Sequence, residues 1–127
     1  MLNVSKTTLM RSCDKNMTEK IGIPDAVLME NAANAVAQSI KKHTAGCKNG
    51  SRVFILIGPG TNGGDGLALL RFLTAEGYNA EGILLFEPIQ NKKDEQSAAL
   101  PRSSAELNYQ IAINLGLPLS NDINRLN

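Results

Sequence analysis

The chain has 127 residues, 43% hydrophobic and 20% charged, the size and composition of one ordinary globular domain. Thirteen basic and twelve acidic residues leave a net charge of +1, which supplies no general attraction to nucleic acid or to an anionic membrane. With no Trp, two Tyr and three Phe, a base-stacking platform is not expected either. No run of about 18 apolar residues is present to span a bilayer, and the start Met1-Leu2-Asn3-Val4-Ser5-Lys6 lacks a hydrophobic signal core. The expectation is a cytoplasmic protein. Cys13 and Cys47 form no C-x-x-C pair and read as free thiols in a reducing compartment. His43 is the single histidine and follows Lys41-Lys42, where a cation suits a helix end. With His43 read as a helix-end cation no His-based triad is expected within this chain, and a single histidine excludes a multi-histidine metal site.

Ser5 or Thr7 is expected to cap a first helix to about Lys20, with Leu9, Cys13 and Met17 as its apolar stripe and Gly22 as its stop. Pro24 and Asp25 suit the first turn of a second helix. Leu28, Ala32, Val36 and Ile40 are its expected buried face, and Gly46 its stop. Val53-Phe54-Ile55-Leu56-Ile57 is an unbroken apolar run that predicts a strand buried on both faces. A glycine-rich turn, Gly58 to Gly66, leads into a helix marked by Leu67, Leu70, Phe72 and Leu73 and ended by Gly77. Ala80 to Phe86 predicts a second strand, and polar Glu87 to Arg102 a loop. Ser103 or Ser104 caps a last helix through Leu115, with Leu107, Ile111 and Leu115 on one stripe, stopped by Gly116 and Pro118. Strand–helix–strand alternation predicts an α/β fold with a right-handed parallel crossover. Two strands alone bury little, and Leu119 to Asn127 read as the approach to a strand that does not arrive. The expectation is a fragment, or a chain whose sheet is completed by a partner.

The chemistry concentrates in Gly58-Pro59-Gly60-Thr61-Asn62-Gly63-Gly64-Asp65-Gly66. Glycines let a ligand approach the backbone, and a helix start after a buried strand presents free amide donors and a positive dipole to an anion. Gly58, Gly60 and Gly63 also satisfy G-x-G-x-x-G, with Glu87 in the place of a ribose-binding acid, so an NAD-dependent dehydrogenase is one reading. Against it, some fifty residues precede the strand, and Asp65 would repel a diphosphate unless a cation intervenes. No Gly-Lys-Ser/Thr follows, so this is not a Walker loop. Asp65 alone could simply stabilise a helix start, and Asn62 a turn. Together they offer hard oxygen ligands to a cation.

Gly22-Ile23-Pro24, Leu28-Met29-Glu30-Asn31-Ala32 and Gly58 to Gly66 together resemble the YjeF N-terminal domain, the NAD(P)H-hydrate epimerase family. Leu9 to Asp14 and Asn114-Leu115-Gly116-Leu117-Pro118 are similar to the family too, so the resemblance covers nearly the whole chain, residues 1–127, as the N-terminal part of that domain. It implies a Rossmann-like three-layer α/β/α fold with a mainly parallel sheet, here truncated. It implies epimerisation of the R and S forms of NADH or NADPH hydrated at C6, one potassium ion per subunit, a homodimer, and an ADP- or ATP-dependent dehydratase, fused or separate. On this pattern Thr61, Asn62, Gly63, Gly64 and Asp65 line the substrate site, and Asn62 also binds potassium. Thr61 stands where the family usually has a first Asn. The family's catalytic residue is expected beyond residue 127, so none is assigned. Glu30 and Asn31 either face the pocket or anchor their helix against the glycine loop. An inactive nucleotide-binding or interaction module remains the non-enzymatic alternative.

Overall fold

The computed structural model describes residues 5–44, 51–87 and 103–126. Helix α1, Thr7–Asn16, runs into a π-helical turn, Met17–Ile21, that Gly22 closes in the left-handed conformation (φ 83°). Its N-cap is Lys6, and no side chain caps it, so neither Ser5 nor Thr7 has the expected role. No residue of α1 is buried; Leu9 and Cys13 of the expected stripe are exposed, and Met17 is half-buried. An amphipathic pattern buries nothing unless a neighbour lies against it.

Helix α2, Asp25–His43, starts directly after Pro24, whose missing N–H suits the position before a first turn. Its buried residues are Met29, Ala33 and Ala37, one position along from the expected stripe. Ala32 and Val36 face solvent, and Leu28 and Ile40 are half-buried. The four-residue repeat fits either stripe. The packing of α2 on α3 decided it: Met29 lies against Gly64, and Ala33 and Ala37 are almost fully buried in the same core as Ala68. Gly46, the expected stop, lies outside the described residues.

Strand β1, Arg52–Ile57, pairs in parallel with β2, Asn79–Leu84, from Arg52 opposite Asn79 to Ile57 opposite Leu84. Leu85 N donates to Ile57 O at 2.8 Å and closes the ladder. β1 ends at Ile57 and β2 at Leu84, short of the expected Phe86. Helix α3, Thr61–Ala75, connects the two strands and lies on the sheet. Helix α4, Ser104–Asn114, is capped as expected by Ser103, whose hydroxyl accepts from Glu106 N. The segment 88–102, read as a loop, lies outside the described residues. α4 buries Asn108 and Ala112 rather than the expected stripe: Leu107 and Ile111 are half-buried and Leu115 is 59% exposed. Beyond Gly116 and Pro118 the chain does form a third strand. β3, Leu119–Ser120, pairs in parallel with β2, and Gly82 N donates to Pro118 O. The sheet order is β1-β2-β3.

The core lies between α3 and one face of this sheet, built by Ile55, Ile57, Leu67, Leu70, Leu73, Ala80 and Leu84, with α2 and α4 packed on α3. Each fully buried Leu or Ile contributes about 1.5–3 kcal/mol of transfer energy. On the other face Ile83 is buried, Phe54 is half-buried and Leu56 is 54% exposed, so β1 is not covered evenly on both faces. That face also carries Glu81, paired with Arg52 at 3.4 Å and with Arg125 at 2.5 Å; Arg52 stacks over Phe54 at 4.8 Å. The arrangement is an α/β, Rossmann-like parallel unit. Among the described residues, no helix is long and apolar enough to cross a membrane.

Candidate functional site

The carboxyl end of β1, the turn at Gly58 to Gly60 and the first turns of α3 form the candidate site. In parallel α/β sheets ligands bind at this end, where loops open between strand and helix. Helix α3 begins earlier than a glycine-rich turn through Gly66 would suggest. Thr61 is already helical, and Gly60 is the N-cap with φ 95° and ψ −164°, a backbone state that side-chain-bearing residues rarely adopt. A glycine N-cap has no side-chain oxygen, and none caps α3. The first amides of the helix are thus left to a ligand or water, with the positive dipole end behind them.

The five predicted residues divide by helical geometry. Gly63 and Gly64 are buried and form the floor. A Cβ on Gly63 would overlap Gly58 O, so α3 rests directly on the backbone of the β1 turn. A Cβ on Gly64 would meet Met29 Sδ at 2.6 Å and Ala105 Cα at 2.8 Å, so α2 and α4 close over that position. Thr61 and Asn62 are exposed, and Asp65 is half-buried. Asp65 stands four residues after Thr61 and three after Asn62, spacings that bring side chains to one helix face. The structure therefore gathers Thr61, Asn62 and Asp65 along one side and uses Gly63 and Gly64 as the packing side.

The local charge is negative. Burial first, then the carboxylates of Asp25 and Asp14, raise the Asp65 carboxyl above its ordinary 3.8. Among the described residues no basic side chain pairs with it. No group of three or more His, Cys, Asp or Glu that could hold a metal occurs among the described residues. A cation here would therefore depend on amide and backbone oxygens beside Asp65.

Glu30 does not face this side. Its Oε1 accepts from Arg71 Nη2, tying α2 to α3 beyond the glycine loop rather than against the loop itself. Lys41 and Glu76 make a second tie at 2.5 Å. Asn31 is exposed. Glu87, the candidate ribose acid, is exposed and lies three residues past the end of β2. Cys13 is an exposed free thiol, and Cys47 lies outside the described residues. Asn108 carried no signal in the sequence, where it reads as one more polar helix residue. Among the described residues it is buried, 3% exposed, and its Nδ2 donates to Met29 Sδ at 3.1 Å and to Ser104 O at 3.1 Å. Met29 was visible only as part of a motif; the alternative stripe Met29, Ala33, Ala37 was the signal for its burial.

A parallel α/β unit with a glycine-floored helix start at a strand's carboxyl end defines a Rossmann-like domain. Residues 25–120 match the family described as YjeF-related protein N-terminus, and the chain belongs to that family. It is 41% identical over 90 residues to an NAD(P)H-hydrate epimerase of Limosilactobacillus fermentum, covering 71% of this chain and 42% of that protein. An NAD(P)H-hydrate epimerase of Entamoeba histolytica is 46% identical over 67 residues, which is 53% of this chain and 29% of that one. A bifunctional NAD(P)H-hydrate repair enzyme Nnr of Moorella thermoacetica is 36% identical over 88 residues, 69% of this chain and 17% of that protein. The crystal structure of yeast ynu0 (YNL200c) superposes with a TM-score of 0.70 at 28% identity, over 95% of this chain and 48% of the yeast chain. The chain thus spans less than half the length of each of these proteins.

Proposed function

We propose that the protein of which this chain carries the N-terminal part is an NAD(P)H-hydrate epimerase, interconverting the R and S C6 hydrates of NADH and NADPH. The observation that carries the reading is the start of α3: Gly63 and Gly64 packed into the fold, with Thr61, Asn62 and Asp65 gathered on the opposite side at an uncapped helix N-terminus. The names of the relatives supply the substrate class. In the reaction the C6 hydroxyl takes a proton and leaves as water. The nitrogen lone pair stabilises the ring cation, and water returns to either face and loses a proton. The helix amides and dipole would hold the phosphate-bearing part of the substrate beside the pyridine ring. Thr61 would supply a hydroxyl, Asn62 an amide and Asp65 a carboxylate. No residue of this chain is assigned as the acid.

The residues fit a potassium ion. Asn62 offers an exposed amide oxygen, and Asp65 lies in a field of carboxylates whose repulsion a cation would relieve. The ion would offset the charge that otherwise opposes a diphosphate. Asp65→Ala is expected to weaken both potassium and substrate binding; unchanged calorimetric affinities would count against this. The same reading includes a homodimer, a cytoplasmic location and a dehydratase, fused or separate, that consumes the S hydrate. The bifunctional Nnr relatives support the last. The deciding experiment supplies pure R hydrate and follows the R/S ratio. Acceleration over buffer is expected, and none would reject the assignment.

A further inference from the structure

We propose that Asn108 is a positioning residue, which acts through Met29 to fix the first turns of α3 that present Asn62 and Asp65. The inference rests on the epimerase reading for its kinetic consequence, but its geometry stands apart from that reading. Asn108 is 3% exposed, and its Oδ1 has no partner among the described residues. A buried carbonyl left unpaired costs roughly 1–3 kcal/mol. As packing alone, an apolar side chain of similar volume would serve this position better.

What the amide adds is direction. One Nδ2 contact, to Ser104 O, ties the side chain to its own helix start at 3.1 Å. The other, to Met29 Sδ at 3.1 Å, crosses to α2. Met has three rotatable side-chain bonds and settles into whatever gap is open, so by itself it defines a neighbour's position poorly. Held by Asn108, its Sδ and Cε lie where a Cβ of Gly64 would come within 2.6 and 2.7 Å. Ala105, one residue beyond Ser104, closes the same spot with its Cα at 2.8 Å. Gly64 is thus clamped from α2 and α4, while Gly63 rests on the carbonyl of Gly58. Those two glycines separate Asn62 from Asp65, so the clamp sets where both side chains stand. Catalytic geometry is sensitive at this scale, since a displacement of about 1 Å can cost about a hundredfold in rate.

The test compares Asn108→Leu, Met29→Leu and the double variant in the protein. Leucine removes the donor or the thioether acceptor while keeping an apolar side chain of similar size. Three readouts are taken: melting temperature, kcat and KM for the R hydrate, and hydrogen exchange at the amides of Gly64, Asp65 and Gly66. Each single variant is expected to melt no lower than the parent and to lose about tenfold or more in kcat. The double variant is expected to lose no more than either single one, because both remove the same contact. Asn108→Leu turning over with unaltered kcat and KM overturns the proposal. If Asn108→Leu does not fold, Met29→Leu decides by the same criterion. If the parent protein fails to epimerise, the functional reading falls and hydrogen exchange decides. Faster exchange at those three amides then upholds the clamp, and unchanged exchange overturns it.

Discussion

Gly63 and Gly64 exclude side chains by contact with different parts of the fold, and Asp65 beside them is held against its electrostatic preference. A methyl on Gly63 meets Gly58 O, a backbone atom at the end of β1 that cannot swing aside. Gly63→Ala is expected to cost about 1–3 kcal/mol, the usual range for overpacking, and to reduce ligand affinity as α3 is pushed off the turn. Chemical denaturation with calorimetry checks both. Asp65 has the opposite character, because its raised carboxyl makes the folded chain hold a proton more tightly than the unfolded chain. Below the ordinary value of 3.8 the group is protonated in both states and contributes nothing to the difference. As pH rises through the folded-state value, ionising it costs the folded state progressively more. In potassium-free buffer Asp65→Asn should therefore raise the melting temperature at pH 7, and the gain should vanish as pH falls below 3.8. A gain of equal size at both ends would refute the electrostatic account. That these positions stand apart was legible in the sequence from the density of glycines after an apolar strand. What each glycine touches was not, because a missing side chain carries no record of its neighbour.

Among the elements, the existence and order of α2, β1, α3, β2 and α4 followed from periodicity and from turn residues. Ser103 as a cap and Gly22, Gly77 and Gly116 as stops followed as well. The buried faces of α2 and α4 did not. In α2 apolar residues occupy both the Leu28-Ala32-Val36 and the Met29-Ala33-Ala37 stripes, and a four-residue repeat cannot choose between them. The choice belongs to the packing of α2 on α3, where Gly64 admits Met29 and where Ala33 and Ala37 are almost fully buried in the shared core. Ala33→Leu should accordingly cost about 1–3 kcal/mol by overpacking. Val36→Ala, at a position 48% exposed, should stay within about 0.5 kcal/mol. The reverse order in urea denaturation would restore the stripe expected from the sequence.

At the scale of the molecule, the sheet is well covered on the face that α3 occupies and unevenly on the other. Neighbouring residues of β1 sample the two sides: Ile57 is fully buried, while Leu56 is 54% exposed. Ile57→Ala is expected to cost about 2–5 kcal/mol, and Leu56→Thr to stay within about 0.5 kcal/mol, by equilibrium denaturation of this chain. Comparable losses at both positions would show that Leu56 is covered in solution. By itself the sequence determined the α/β class, the parallel crossover elements and the place of the glycine-rich turn after β1, because strand and helix periods and the glycine density are local properties of the chain. Tertiary structure alone decided which helix faces are buried, that Leu119 and Ser120 form a third strand, that Glu30 turns to Arg71, and that Asn108 reaches Met29. Each of these depends on which surface lies opposite, and residues 79 positions apart along the chain carry no mutual signal in a single sequence.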